Sequence, residues 1–269
     1  MYKKKNLIRS TQKICETAAK WLYPPRCPCC DKIRPIGVSD LECVCEDCGG
    51  RLPWVREPAC MLCGKPLDSH RAEVCRDCGR TRHLFDCGRA AFTYSGKIRH
   101  SVYRMKFQNR RDYLDFFAAA MCLALEPYLC AWQPEILVPI PMHARKRAVR
   151  GYNQAELLAE RISRRTGIPC EKNLLRCVRY TGNQKELDRI GRLKNLRGSF
   201  ALNVSREGMP QTYGSGALPE RVLLVDDVYT TGSTMDEAAR ALKSAGVRQV
   251  YFIVLCTGDQ TAGGPGDSQ

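Results

Sequence analysis

The chain has 269 residues, 44% of them hydrophobic and 26% charged, enough for one large domain plus a small one around a sizeable core. A formal net charge of +15 calls for an anionic partner rather than a cationic one. The 17 cysteines are odd in number and follow no secretory h-region, which excludes a disulfide-stapled secreted scaffold. No apolar segment is long enough to span a bilayer, so an integral membrane protein is not expected either. The expected compartment is a reducing cytoplasm, with membrane association supplied only through partners.

Residues 1–22 are Lys-rich, with Leu7, Ile14, Ala18 and Leu22 at helical spacing. They read as a short amphipathic helix, docked on its own domain in preference to a membrane surface. Residues 23–86 hold four Cys-x-x-Cys pairs: Cys27/Cys30, Cys45/Cys48, Cys60/Cys63 and Cys75/Cys78. Tetrahedral Zn²⁺ takes four soft ligands, and two such knuckles supply them. The unit recurs after 33 residues (Cys27 to Cys60) and after 30 (Cys45 to Cys75), which reads as an internal duplication. Two zinc ribbons are therefore expected. Their sites are closed by four sulfurs, hence structural and not catalytic, and a segment this poor in apolar residues depends on metal to fold. Spacing alone leaves open whether the ligand pairs are sequential or interleaved between the two sites.

Residues 87–132 read as a connector. It has a short strand from Cys87 to Tyr94, a break at Gly96, and an apolar helix from Tyr113 to about Leu129. Before that helix, Tyr103, Arg104, Lys106 and Phe107 interleave aromatic with basic side chains. Two readings stand side by side: a surface that stacks and neutralises single-stranded nucleic acid, or a helix with one packed and one solvated face.

A second domain spans 133–256. Glu135 to Pro141 is a buried strand ending in prolines, and 142–150 is a basic loop with His143, Arg145, Lys146 and Arg150. A helix follows, with Ala155, Leu158, Ala159 and Ile162 on one stripe. Residues 145–200 hold 15 Lys/Arg against 5 Asp/Glu. Within them 181–197, with Gln184, Arg192 and Arg197, is a charged, glycine-punctuated stretch that reads as a mobile lid or as a static surface helix. Residues 203–219 are a Gly/Ser/Pro-rich surface loop. The most informative stretch is 222–234. An apolar strand ends in Asp226 and Asp227, a turn carries Thr230, Thr231, Gly232, Ser233 and Thr234, and a helix opens. Free amides and a helix N-terminus suit a phosphate monoester. Carboxylates would repel that phosphate, so they serve ribose hydroxyls, a Mg²⁺ ion, or both. The ligand read from the residues is a sugar phosphate with a free diol. A last strand runs from Gln249 to Leu255, and 257–269 reads as a disordered tail.

The 222–234 stretch resembles the PRPP motif of type I phosphoribosyltransferases. The resemblance implies an α/β fold: a mostly parallel sheet flanked by helices, with the double zinc ribbon at its N-terminus. It further implies that Asp226 and Asp227 hold the ribose hydroxyls and act at the catalytic centre, and that Thr230 to Thr234 grip the 5′-phosphate. Mg²⁺ and the 142–150 loop would then hold the pyrophosphate. The whole layout is similar to the ComF family of competence-associated proteins. It shares the paired knuckles, Leu137-Val-Pro-Ile-Pro-Met-His, Arg150-Gly-Tyr-Asn-Gln-Ala-Glu-Leu-Leu-Ala and Asn195-Leu-Arg-Gly-Ser-Phe. That family implies DNA uptake in natural transformation, single-stranded DNA as a ligand, and a helicase or membrane channel as a partner. With Met1-Tyr2 at its start, the chain offers no N-terminal cysteine nucleophile, and glutamine-dependent transfer is not expected.

Overall fold

The computed structural model describes residues 24–179, 198–203 and 218–258. The expected N-terminal helix, the lid residues Gln184, Arg192 and Arg197, and nearly all of the tail lie outside them.

Along the chain, each zinc ribbon ends in a single helical turn, α1 (Glu46–Gly49) in the first and α2 (Arg76–Arg80) in the second. Then come β1 (Cys87–Thr93), α3 (Gly96–Phe107) and α4 (Tyr113–Trp132). Next are β2 (Ile136–Pro139), α5 (Ala144–Arg150) and α6 (Gln154–Thr166). A small hairpin of β3 (Leu175–Cys177) and β4 (Phe200–Leu202) precedes β5 (Arg221–Tyr229), α7 (Ser233–Ser244) and β6 (Gln249–Thr257). The last strand continues through Thr257, past the end expected at Leu255.

The apolar runs Val222–Val225 and Val250–Cys256 are buried without alternation. A strand hidden on both faces belongs inside a parallel sheet covered by helices on each side. That is their place: the main sheet is parallel, in the order β1-β6-β5-β2. Leu223 and Val225 face α3, α4 and α6, while Val222 and Leu224 face α7.

Three expectations are corrected here. Residues 87–132 are not a separate connector, because β1 is the edge strand of the main sheet, paired with β6 from Cys87/Tyr251 to Thr93/Thr257. Its run Ala90-Ala91-Phe92 is buried on both faces, which requires a sheet neighbour. Most of the basic stretch 142–150 is not loop: residues 144–150 form the helix α5, and only 142–143 precede it. Lys, Arg and Ala favour helix, His143 Nδ1 caps it by accepting the Arg145 amide, and Gly151 at φ +81° ends it. One helix, α4, with 20 residues, is long and apolar enough to cross a membrane. Its Phe116, Phe117 and Met121 are buried against the sheet, so the length serves the core of this fold.

The ribbons straddle the β1 edge. The first packs on the face covered by α3, α4 and α6, and the second on the α7 face. The linker between them runs along β1: the Val55 amide donates to Ala91 O at 2.9 Å and the Thr93 amide to Pro53 O at 2.8 Å. An edge that would otherwise invite another strand is thereby covered.

Candidate functional site

The cysteines gather into two sets, Cys27/Cys30/Cys45/Cys48 and Cys60/Cys63/Cys75/Cys78, with the Sγ atoms of each set within 4.8 Å of one another. The pairing is sequential and not interleaved. Sγ–Sγ separations of 3.6 Å (Cys30–Cys45) and 3.7 Å (Cys63–Cys75) match the roughly 3.8 Å edge of a tetrahedron with Zn–S bonds of about 2.3 Å. The residues present therefore fit Zn²⁺ at both places. Lys97 Nζ, 3.2 Å from Cys48 Sγ, offsets thiolate charge in the first set.

The acid pair stands near the carboxyl end of β5. Register places Val225 beside Pro139, and the Ile140 amide donates to Val225 O at 2.9 Å. The chain leaving β2 thus passes next to Asp226, at the sheet edge where open α/β folds hold ligands. Asp227 is 4% exposed. It accepts from Lys106 Nζ at 2.9 Å and from Gln154 Nε2 at 2.6 Å, and its own amide donates to Asp226 Oδ1 at 2.8 Å. Burial and the adjacent Asp227 carboxylate push Asp226 up to about 8, so near neutrality it carries its proton. Burial opposes the Lys106 charge, yet the two carboxylates hold its pKa above the ordinary lysine value. A Mg²⁺ ion ligated by the pair itself does not fit this arrangement: the Asp227 oxygens face an ammonium and an amide, and one Asp226 oxygen accepts a backbone amide.

Lys106 was missed as a member of this site. Expected among nucleic-acid contacts, its side chain is turned inward onto Asp227 and only 19% exposed. Gln154 bridges Asp227 and Arg150, whose Nη1 donates to Gln154 Oε1 at 2.8 Å. Asn153 is the cap, accepting the Ala155 amide at 3.1 Å.

The turn after β5 opens α7. Gly232 has φ +83°, and a Cβ there would meet Tyr229 Oη at 2.7 Å and His83 Cε1 at 2.8 Å, so only glycine fits. Ser233 is buried and its Oγ lies 2.9 Å from Thr231 Oγ1; Thr230 is exposed and Thr234 half-buried. His83, at the end of the second ribbon, is a member the sequence did not reveal. Its Nδ1 pairs with Asp236 Oδ2 at 2.8 Å, and the Leu84 amide donates to Asp236 Oδ1 at 2.8 Å. The second ribbon is thereby bolted to the first turn of α7.

The basic helix α5 reaches the acid pair through its last residue, Arg150, which donates to Gln154, itself a donor to Asp227. Arg145 is exposed, while His143, Lys146 and Arg150 are half-buried. Burial, with Arg150 close by, lowers the Lys146 pKa. Arg150 also stacks on Phe107 at 5.2 Å. Phe107 and Tyr103 are exposed at 54% and 52% with ring centroids 5.0 Å apart. Arg104 is half-buried. Of the four residues expected on a nucleic-acid surface, the two aromatics are the ones that face solvent.

A helix-flanked parallel sheet, an acid pair at its carboxyl edge, and a small-residue turn opening a helix define a protein of the phosphoribosyltransferase fold. Here that fold carries two thiolate clusters. Residues 153–266 match the family described as phosphoribosyl transferase domain, and residues 18–79 that described as double zinc ribbon domain. Competence protein F of Haemophilus influenzae is 33% identical over 196 residues, 72% of this chain and 82% of that protein. Competence protein ComFC of Bacillus subtilis is 31% identical over 214 residues, 76% of this chain and 80% of that one. DNA utilization protein YhgH of Salmonella typhimurium is 28% identical over 229 residues, 82% and 93% respectively. The chain belongs to the ComF family of competence proteins.

Proposed function

We propose that this protein binds PRPP at the β5 edge and transfers its phosphoribosyl group to an acceptor during DNA uptake. The observation that carries the reading is the joint placement of Asp226, Asp227 and the 230–234 turn on one strand–turn–helix. The ribose diol would meet two carboxyl groups, of which the protonated Asp226 can donate as well as accept hydrogen bonds. The 5′-phosphate would lie in the turn at the N-terminus of α7, where free amides and the helix dipole favour an anion. His143, Arg145, Lys146 and Arg150 on and beside α5 supply positive charge for the pyrophosphate, and Mg²⁺ enters only as that group's counter-ion. As pyrophosphate leaves, the bond from the anomeric carbon breaks with its electron pair. The cation left on the ribose is steadied by the Asp227 charge, so catalysis rests on electrostatics and positioning. The expectation that 181–197, with Gln184, Arg192 and Arg197, closes over this site falls on residues outside those described.

Calorimetry with PRPP, with and without Mg²⁺, tests the reading. Asp226→Asn keeps the shape but changes the donor and acceptor pattern, and should weaken binding about tenfold, the scale of a lost neutral hydrogen bond. Absence of binding heat in the unsubstituted protein would remove the enzymatic reading. Pyrophosphate release on addition of single-stranded DNA or a nucleobase would then identify the acceptor class.

A second reading concerns DNA directly. The exposed Tyr103–Phe107 pair beside Arg150 favours stacking of single-stranded DNA at the mouth of the same site. Cytoplasmic location, and docking to a DNA-uptake helicase or channel, complete the proposal.

A further inference from the structure

Adjacent carboxylates repel one another, and burial worsens the repulsion. Such a pair takes up a proton, recruits a cation, or does both. In this chain a cation is already built in. Lys106, in the last turn of α3, places Nζ 2.9 Å from both oxygens of Asp227. Gln154 donates to the same carboxylate from α6, and Arg150 stands behind Gln154. Tyr94, Tyr152 and Cys256 are further titratable neighbours among the described residues. A divalent ion brought to Asp227 would have to expel the ammonium or sit against it, and either course opposes binding.

We propose that Lys106 is the resident cation of the acid pair. It fills the electrostatic place of a protein-held divalent ion, so the pair takes up no metal of its own and admits an anionic sugar phosphate without one. The electrostatic claim rests on the geometry alone, and only its consequence for the ligand rests on the PRPP reading.

The test is titration of the zinc-loaded full chain with Mn²⁺ alone, following free Mn²⁺ by electron paramagnetic resonance. Unsubstituted protein should show no Mn²⁺ uptake that Asp227→Asn removes, and Lys106→Arg should match it. Lys106→Met should gain one site, at least about tenfold tighter than any in the unsubstituted chain, and Lys106→Met/Asp227→Asn should lose it. Mn²⁺ uptake by the unsubstituted chain that Asp227→Asn abolishes would overturn the proposal. So would a folded Lys106→Met protein that gains nothing. If Lys106→Met does not fold, the unsubstituted, Lys106→Arg and Asp227→Asn titrations still decide. No sugar phosphate is present, so this outcome is separable from failure of PRPP binding.

Discussion

Asp226 carries a pH signature that can be measured without knowing the ligand. Its carboxyl is raised to about 8 by burial and by the Asp227 charge, so the folded chain holds this proton more tightly than the unfolded one. The sign follows from linkage. The stabilisation is complete below the ordinary carboxylate pKa of about 3.9 and is lost as pH rises through about 8. Melting temperature should therefore fall across that window, and Asp226→Asn, which cannot ionise, should flatten the fall. Equal slopes in the two proteins would mean that Asp226 is already ionised in the fold. Asp227 is hydrogen-bonded by Lys106 and Gln154. Removing Lys106 leaves a buried charge uncompensated, at a cost of roughly 3–5 kcal/mol.

Among the elements, the two ribbons have different standing. Both fit Zn²⁺, and purified protein should carry about two per chain. The first is tied to α3 and α4: Ser101 Oγ donates to Pro28 O at 2.5 Å and Tyr113 Oη to Asp31 at 2.7 Å. The second reaches the candidate phosphate turn through His83 and Leu84 on Asp236. Cys78→Ser should therefore weaken PRPP binding roughly tenfold, the scale of a lost buried hydrogen-bonded contact. Cys48→Ser should lower the melting temperature with less effect on binding. Indistinguishable affinities in the two variants would show that the His83 bolt does not govern the turn. The cysteine pairs and their count were legible because each knuckle is local. Their sequential pairing was not, because it depends on how the hairpins fold back.

Over the whole molecule, the net charge of +15 predicts binding to polyanions that weakens with salt. The exposed Tyr103–Phe107 pair gives that attraction a candidate stacking platform. Tyr103→Ala or Phe107→Ala should each weaken binding of a single-stranded oligonucleotide roughly tenfold. The slope of affinity against salt should stay as it was, since no cation is removed. Fluorescence anisotropy across a salt series checks both. Unchanged affinity in both variants would leave only diffuse electrostatics.

The chain's sequence by itself determined the buried β5 strand, its acid pair, the small-residue turn and the four thiolate knuckles. Each is a contiguous run whose chemistry is set by near neighbours along the chain. Only the tertiary structure decided that β1 closes the main sheet, that 144–150 is helical, and that Lys106 answers Asp227. It alone also brought His83 to Asp236. Those two pairs are 121 and 153 residues apart in the chain. Burial, not local spacing, selects such partners: a charge or ring taken out of water must be met by whatever the packed sheet and helices bring alongside.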